Sequence, residues 1–438
     1  MDGNNLKVIS GWGRFPVHHA KEFYCRDGLE LSDDFQSASF IVRGNARSYG
    51  DSSLGNHFFS SKTGYKRFIA FDENTGLLRC EAGVLLSEVI DVFLPKGWFL
   101  KVTPGTKLIT VGGAIASDVH GKNHHIEGCF SQCVDSLRLM IASGEVVTCS
   151  RQENRELFLA TCGGMGLTGV ILEASFYLKP VNSQFIEQRT IKTRNLKETF
   201  EAFEASSNET YSVAWIDCLA KGENLGRSLL MVGDFADDGD LDYRHRNKAS
   251  VPFDFPTFAL NGLSVKVFNT LYYGKASKGT SAQRVSLDTF FYPLDAIGHW
   301  NRIYGKNGFV QYQFILPKEV SFEGLQKILE KIADKGMGSF LAVLKLYGPE
   351  NEHYLSFPME GYSLALDFKM QKGLLPFLDE LDEVVVALGG RIYLAKDARM
   401  KRSIFEQSYP RLETFKELRE SLGLNKKFTS LQSERLGL

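Results

Sequence analysis

Glycine gathers in three stretches of the first 170 residues, at 44–55, 105–121 and 163–169. Clustered glycine marks backbone that approaches something closely or takes positive φ. It therefore limits this half of the chain to short elements joined by special loops. Between the clusters lie SFIVRG, KRFIAFD, LLRCEAG and GVILEASFYL. These stretches are rich in β-branched and aromatic residues and bounded by Gly or Asp, which predicts strands. LLSEVIDVFLPKG and NRELFLATCG carry apolar residues at helical spacing. Residues 1–180 read as an α+β domain of short strands and Gly-rich loops.

Gly164, Gly166 and Gly169 spell G-x-G-x-x-G. A dinucleotide fingerprint of that form needs a strand before it and a helix after it. Here a helical pattern precedes and the strand-like GVILEASFYL follows, so the glycines predict a tight helix-to-strand turn running along a ligand, with Ile171 beside them. A better phosphate cradle is PGTKLITVGGAIASDVHGKNHH. Thr110 is placed as N-cap, and Val111, Gly112, Gly113 and Ala114 would start a helix whose N–H groups face a diphosphate. Gly44, Asn45, Ala46, Arg47, Ser48, Tyr49, Gly50 and Asp51 offer a second nest of donors on a loop after a strand. Together the two loops suit one extended dinucleotide.

LKPVNS around Pro180 marks a boundary. Beyond it the glycine clusters vanish and aromatics rise. Phe235 to Lys248 is polar and charge-dense and reads as a mobile surface loop. VPFDFPTFALNGL reads as a packed irregular segment, with a greasy lid over a lipid-linked ligand as the alternative. FVQYQFILP, FLAVLKLYG and GYSLALDFKM read as strands, alternating with the helices EGLQKILEKIADKG and LLPFLDELDEVVVALGG. That order predicts an antiparallel sheet with helices on one face. The tail after Gly390 reads as a strand followed by helices.

A net charge of −1 gives no broad basic field for nucleic acid. MDGNNLKVISGWGRF lacks a basic start and an apolar run, and no stretch approaches the roughly 18 apolar residues of a spanning helix. Seven irregularly spaced cysteines suit free thiols in a reducing compartment. A cytoplasmic protein is expected, with peripheral contact at the inner membrane face left open. His120 and His124 stand at i, i+4 with Glu127 and Cys129 nearby, but no second ligand cluster supports a metal, and none is expected.

IVRGNARSYGDSSL, VTPGTKLITVGGAIASDVHGKNHH and GGMGLTGVILEA resemble the vanillyl-alcohol-oxidase, or PCMH, type of FAD-binding fold. Through FVQYQF, FLAVLKLYG, GYSLALDF and GGRIYLAKDAR the chain is similar to the decaprenylphosphoryl-ribose oxidases over nearly its whole length. The resemblance implies a PCMH-type FAD-binding domain of two α/β subdomains at 1–180 and a substrate domain at 181–390. It also implies a C-terminal segment, 391–438, that returns to the first domain. FAD would lie along Arg43 to Ser52 and along Pro104, Gly105, Thr106, Thr110, Ser117, Asp118, His120, Gly121 and Asn123. In many relatives a His of the first motif bonds covalently to the flavin; Arg47 stands there, which implies dissociable FAD. Where mycobacterial members carry a Cys facing the flavin, this sequence has Ala365.

Flavin oxidation of an alcohol needs an acceptor for the hydroxyl proton and a cation or dipole for the developing charge. Lys396 in RIYLAKD is the candidate for that buried cation, and Tyr393 on the same segment would touch the isoalloxazine. Gln311 and Gln313 lie two apart on one strand face, where their amides suit sugar hydroxyls. Lys345 and Tyr347 likewise share a face, and Lys345 suits a substrate phosphate. By resemblance His120 and Lys122 sit at the substrate side and Tyr49 near the reacting carbon. The implied activity is oxidation of the 2′-hydroxyl of a polyprenyl-phosphoryl ribose to the keto sugar, with oxygen or a quinone as electron acceptor. A short-chain dehydrogenase/reductase partner would complete an epimerisation. The alternatives are an aldonolactone or alditol oxidase of free sugars, and a flavin-binding assembly protein without turnover.

Overall fold

A computed structural model describes residues 6–23, 38–244, 249–256, 258–277 and 279–438. Its strands form three sheets among the described residues. The first, four-stranded, runs Lys7–Ser10, Val17–Phe23, His57–Ser60, Ile41–Arg43. The second is antiparallel and centres on the long strand Val170–Pro180, which pairs with Leu77–Glu81 on one side and Val134–Met140 on the other. The third has eight strands, and every pairing in it is antiparallel.

The expected elements form for local reasons. Leu86–Phe93 buries Leu86, Val89, Ile90 and Phe93, the i, i+3, i+4, i+7 stripe of one helical face. Arg155–Thr161 leads through the glycines into Val170–Pro180, the helix-then-strand order read from the sequence. In the third sheet the helices Leu196–Ala205, Ser321–Lys335 and Leu374–Ala387 cover one face. Ser321–Lys335 buries Leu325, Ile328, Leu329 and Ile332, each worth about 1.5–3 kcal/mol. It stops at Gly336, which takes the left-handed conformation. The opposite face of this sheet is left free to line a cavity.

The last residues run back across the first sheet. Phe40 N–H donates to the Lys427 carbonyl, Leu431 N–H to the Leu54 carbonyl, and the rings of Phe40 and Phe428 meet edge-on at 5.3 Å. Arg435 donates to Asp51 at 2.9 Å and to Asp397 at 2.7 Å.

Two readings of the second half need correction. The stretch from Phe235 is not a free surface loop over its described part. Tyr243 is pinned through its hydroxyl, which accepts from the buried Lys107 ammonium at 2.5 Å; Lys107 also pairs with Asp288. Residues 245–248 of that loop lie outside the described residues. Segment 251–263 is not packed throughout: Phe253 and Phe258 are 63% and 77% exposed. The pattern around them continues into a helix, Gly262–Lys275, that aromatic content alone did not announce.

Candidate active site

One cavity of about 370 Å³ lies between the Gly-rich loops and the free face of the eight-stranded sheet. Its first wall is the loop after Ile41–Arg43: Gly44, Asn45, Ala46, Arg47, Ser48, Tyr49 and Ser52. Ala46 takes φ +53, making a concave backbone. The N–H groups of Asn45 to Ser48 have no hydrogen bond within the described protein, and Arg47 Nε is buried and unpaired. The Arg47 guanidinium lies 4.0 Å over the Trp12 ring. These are donors waiting for an anion.

Pro104, Gly105, Thr106, Thr110, Gly112, Gly113 and Ser117 line the second wall. The N–H groups of its helix start are already paired. Val111 donates to Val84, Gly112 to Ala82, both at 2.8 Å, and Gly113 to Thr110 Oγ1 at 3.1 Å. The helix lies edge-on against residues 82–84 and so cannot also offer those donors to a diphosphate, correcting the expectation that it would. Its part is to present backbone without side chains. A Cβ on Gly105 would stand in open space beside the cavity, whereas one on Gly44 would strike Thr110 Oγ1 at 2.4 Å. The two loops are thus packed against each other through Thr110. Gly166, Gly169 and Ile171 line a third side.

Several expected cofactor residues stand behind the wall. Arg43 donates to the Ser10 carbonyl at 2.6 Å, and Asp51 is held by Arg435. Val111 and Ala114 are core. Asp118 is fully buried and accepts from Ser131 N–H, Asn351 and Ser356. Asn123 donates to the Lys101 carbonyl at 2.9 Å. Gly50, Gly121 and Gly164 are required by the protein's own backbone: a Cβ would lie 1.8 Å from the Asp397 carbonyl, 2.8 Å from the Thr103 carbonyl and 2.0 Å from the Ala160 carbonyl respectively.

The remaining side is the sheet. Gln311, Gln313, Ser363, Ala365, Val343 and Lys345 point to the cavity, every second residue of the strands Phe309–Pro317, Gly361–Lys369 and Ala342–Tyr347. Gln313 pairs in register with Ala365, and Ala365 with Val343. Gln313 Nε2 lies 3.1 Å from His120 Nε2, 3.3 Å from Ser363 Oγ and 3.4 Å from Tyr347 Oη. Tyr347 itself is behind the wall, its ring against His120 and His124. His120 is held neutral well below the usual imidazole range by burial, then by the Lys345, His124 and Lys396 charges. Its Nδ1 is buried with no partner among the described residues. His124 Nδ1 accepts from Gly348 N–H and His125 Nε2 meets the Glu209 carbonyl, so the histidines turn to different partners. Among the described residues no group of three His, Cys, Asp or Glu suits a metal.

Three lysines reach this cavity: Lys122, Lys345 and Lys396. Burial, then the Lys345 charge, pulls the Lys122 ammonium down to about 7, and burial pulls Lys345 to about 8. Lys122 donates to the Phe290 carbonyl. Lys396 Nζ sits 3.9 Å above the Tyr49 ring. Burial lowers its pKa, with the Asp367 carboxylate opposing and the Lys345 charge reinforcing. Tyr393, beside it, is fixed by its hydroxyl donating to the Ser117 carbonyl at 2.8 Å.

Asp367 is the residue the sequence reading missed. It accepts from Gln311 Nε2 at 2.5 Å and from the Tyr304 hydroxyl at 3.3 Å, and burial raises its carboxyl above the usual range. The signal was present: Asp367 is two residues from Ala365, on the same strand face. Asp367 itself stands behind the wall; Trp12, Asp295 and Trp300 line the cavity unannounced, brought there by segments without motifs.

The FAD binding domain family model matches residues 34–150. A decaprenylphosphoryl-β-D-ribose oxidase from Mycolicibacterium smegmatis is 38% identical over 99% of this chain and 98% of its own length. The chain belongs to the decaprenylphosphoryl-β-D-ribose oxidase family. An uncharacterised Streptomyces coelicolor protein is 31% identical over 81% of this chain and all of its own. D-arabinono-1,4-lactone oxidase of Yarrowia lipolytica is 28% identical over 36% of this chain and 31% of its own. The chain is therefore an FAD-dependent oxidoreductase. The cavity fits that cofactor: unpaired donors at 45–48, bare backbone at Gly105 and the orphaned Nδ1 of His120 all await a large polar ligand. Arg47 offers no nucleophile for a covalent flavin link, so acid precipitation is expected to leave FAD in the supernatant; yellow colour retained in the pellet would contradict this. The six described cysteines are buried and none lines the cavity, where Ala365 presents a methyl. Thiol-directed ligands that occupy this cavity are expected to add no mass to the intact protein.

Proposed function

We infer that this protein oxidises the 2′-hydroxyl of a polyprenyl-phosphoryl ribose to the 2′-keto sugar. The observation that carries the reading is that three desolvated lysines and two glutamine amides line the same cavity, which is bounded on another side by bare backbone. A free lactone has no anion for Lys122 and Lys345, whereas a sugar phosphodiester does.

Gln311, Gln313 and the neutral His120 hold the sugar hydroxyls. Bound FAD supplies the hydride acceptor. Lys396, its pKa lowered by burial, takes the hydroxyl proton in its neutral form. It becomes a cation as negative charge arrives at the cofactor, so one residue serves as base and counter-charge. Asp367 is a positioning residue: it orders Gln311 and tunes Lys396. Oxygen or a quinone then takes the electrons. A short-chain reductase acting on the 2′-keto product would complete an epimerisation, and the lipid chain implies peripheral contact with a membrane.

The position of attack is tested with substrate deuterated at individual ribose carbons. Deuterium at C2 is expected to slow anaerobic flavin bleaching by a primary isotope effect. An effect confined to C1 or C3 would overturn the 2′ assignment.

Phosphate binding should take up protons. Lys122 and Lys345 lose charge above about 7 and about 8 in the free protein, and a bound phosphodiester restores it. Affinity for a short-chain prenyl-phosphoryl ribose is therefore expected to fall as pH rises through that window, by up to about tenfold per pH unit for each lysine. Calorimetry in buffers of different ionisation enthalpy reads the uptake directly; flat affinity from pH 7 to 9 would count against both lysines.

A further inference from the structure

The helix Gly262–Lys275 is an exception to the packing of the molecule. Ten of its fourteen residues are exposed, and Val265 and Asn269 anchor its inner side. On the outer side Leu263, Val267 and Leu271 form an i, i+4, i+8 stripe, 72%, 51% and 68% exposed. The preceding segment adds Phe253 and Phe258 to the same exposed set. An apolar stripe of this kind on a well-formed helix needs a covering. The helix is well formed: Asn261 caps it by accepting from the N–H groups of Leu263 and Ser264.

Charge and position say what covers it. From Phe255 to Leu287 the chain has no acidic residue, while Lys266 and Lys275 lie on the helix. Neither lysine makes an ion pair among the described residues. Asp254, the acid just before, is already paired with Arg14 at 2.5 Å. Tyr272 of the same helix packs edge-on against Trp215, 4.8 Å between centroids, and both line the cavity. The apolar face thus continues into the cavity rim.

We propose that the helix Gly262–Lys275, with Phe253 and Phe258, docks on an anionic lipid bilayer and sets the cavity mouth against it. Leu263, Val267 and Leu271 enter the headgroup–acyl boundary while Lys266 and Lys275 meet lipid phosphates. A prenyl chain then stays in the bilayer while its sugar phosphate reaches the lysines. This deepens the lipid-linked substrate reading and rests on it for its purpose, but its test needs no substrate.

The test is flotation of the FAD-loaded full-length protein with phosphatidylcholine vesicles, with and without phosphatidylglycerol. Binding is expected with phosphatidylglycerol, weakened by salt, and weakened about tenfold by each of Leu263→Asp and Leu271→Asp. Both variants should keep their flavin spectrum and their flavin reduction by a short-chain soluble substrate. No flotation with phosphatidylglycerol, or flotation undiminished in the double variant, would overturn the proposal. So would a concentration-dependent dimer, abolished by the same substitutions, in protein that does not float. In each of those cases flavin reduction by the short-chain substrate would still stand or fall independently.

Discussion

Lys396→Ala is expected to retain FAD and to slow anaerobic flavin reduction roughly a hundred- to ten-thousand-fold, the usual contribution of a positioned general base. The ammonium sits over the Tyr49 ring in a cavity that desolvates it. Desolvation disfavours the charged form, so the neutral amine is populated at lower pH than in an ordinary lysine. The sign follows: flavin reduction should rise with pH through the lysine titration and level off above it. Asp367→Asn removes the carboxylate that opposes this shift and should move the rise to lower pH. Lys396→Arg, which keeps the charge but does not deprotonate, should be nearly as slow as the alanine variant. Small alkylamines should restore part of the alanine variant's rate. If Lys396→Arg reduced its flavin at the wild-type rate, a fixed cation would suffice and the base role would be wrong.

The second large effect concerns stability. Among the described residues Arg435 is the cation that pairs with both Asp51 and Asp397, whose side chains are 5% and 1% exposed. Replacing it with Met leaves the buried Asp51 carboxylate without its cation and Asp397 with the Arg399 and Met400 N–H groups and the Arg399 charge, a change of about 3–5 kcal/mol. Asp51 lies within the cavity loop and Asp397 follows Lys396, so loosening is expected at both places at once. Arg435→Met should lower the thermal midpoint and weaken FAD binding together. Adding Asp51→Asn should recover part of the loss, because the charge orphaned at Asp51 is then gone. Equal stability of the single and double variants would show that the pair does not act through charge.

Much of this arrangement was legible because special backbone has few residue solutions. The glycines at 44, 105 and 112–113 announced the bare-backbone walls of the cavity, and the period of two in FVQYQF placed Gln311 and Gln313 on one face. The rest was hidden for identifiable reasons. Whether the N–H groups of 111–113 are free depends on what lies beside them, and residues 82–84 take them. Asp367 gained its meaning from Gln311 and Lys396, 56 and 29 residues away in sequence. Tyr243 looked like part of a polar loop until the buried Lys107 captured its hydroxyl. Phe258 and Leu263 have ordinary core composition, and only the fold leaves them outside.

The central claim, a lipid-linked sugar phosphate oxidised over FAD, is tested most directly by anaerobic titration of the yellow protein. Polyprenyl-phosphoryl ribose is expected to bleach the flavin stoichiometrically, and its dephosphorylated counterpart and free D-arabinono-1,4-lactone much more slowly or not at all. Bleaching by the free lactone alone would contradict the claim, and an unbleached flavin with every sugar would mean a protein that binds FAD without turning it over.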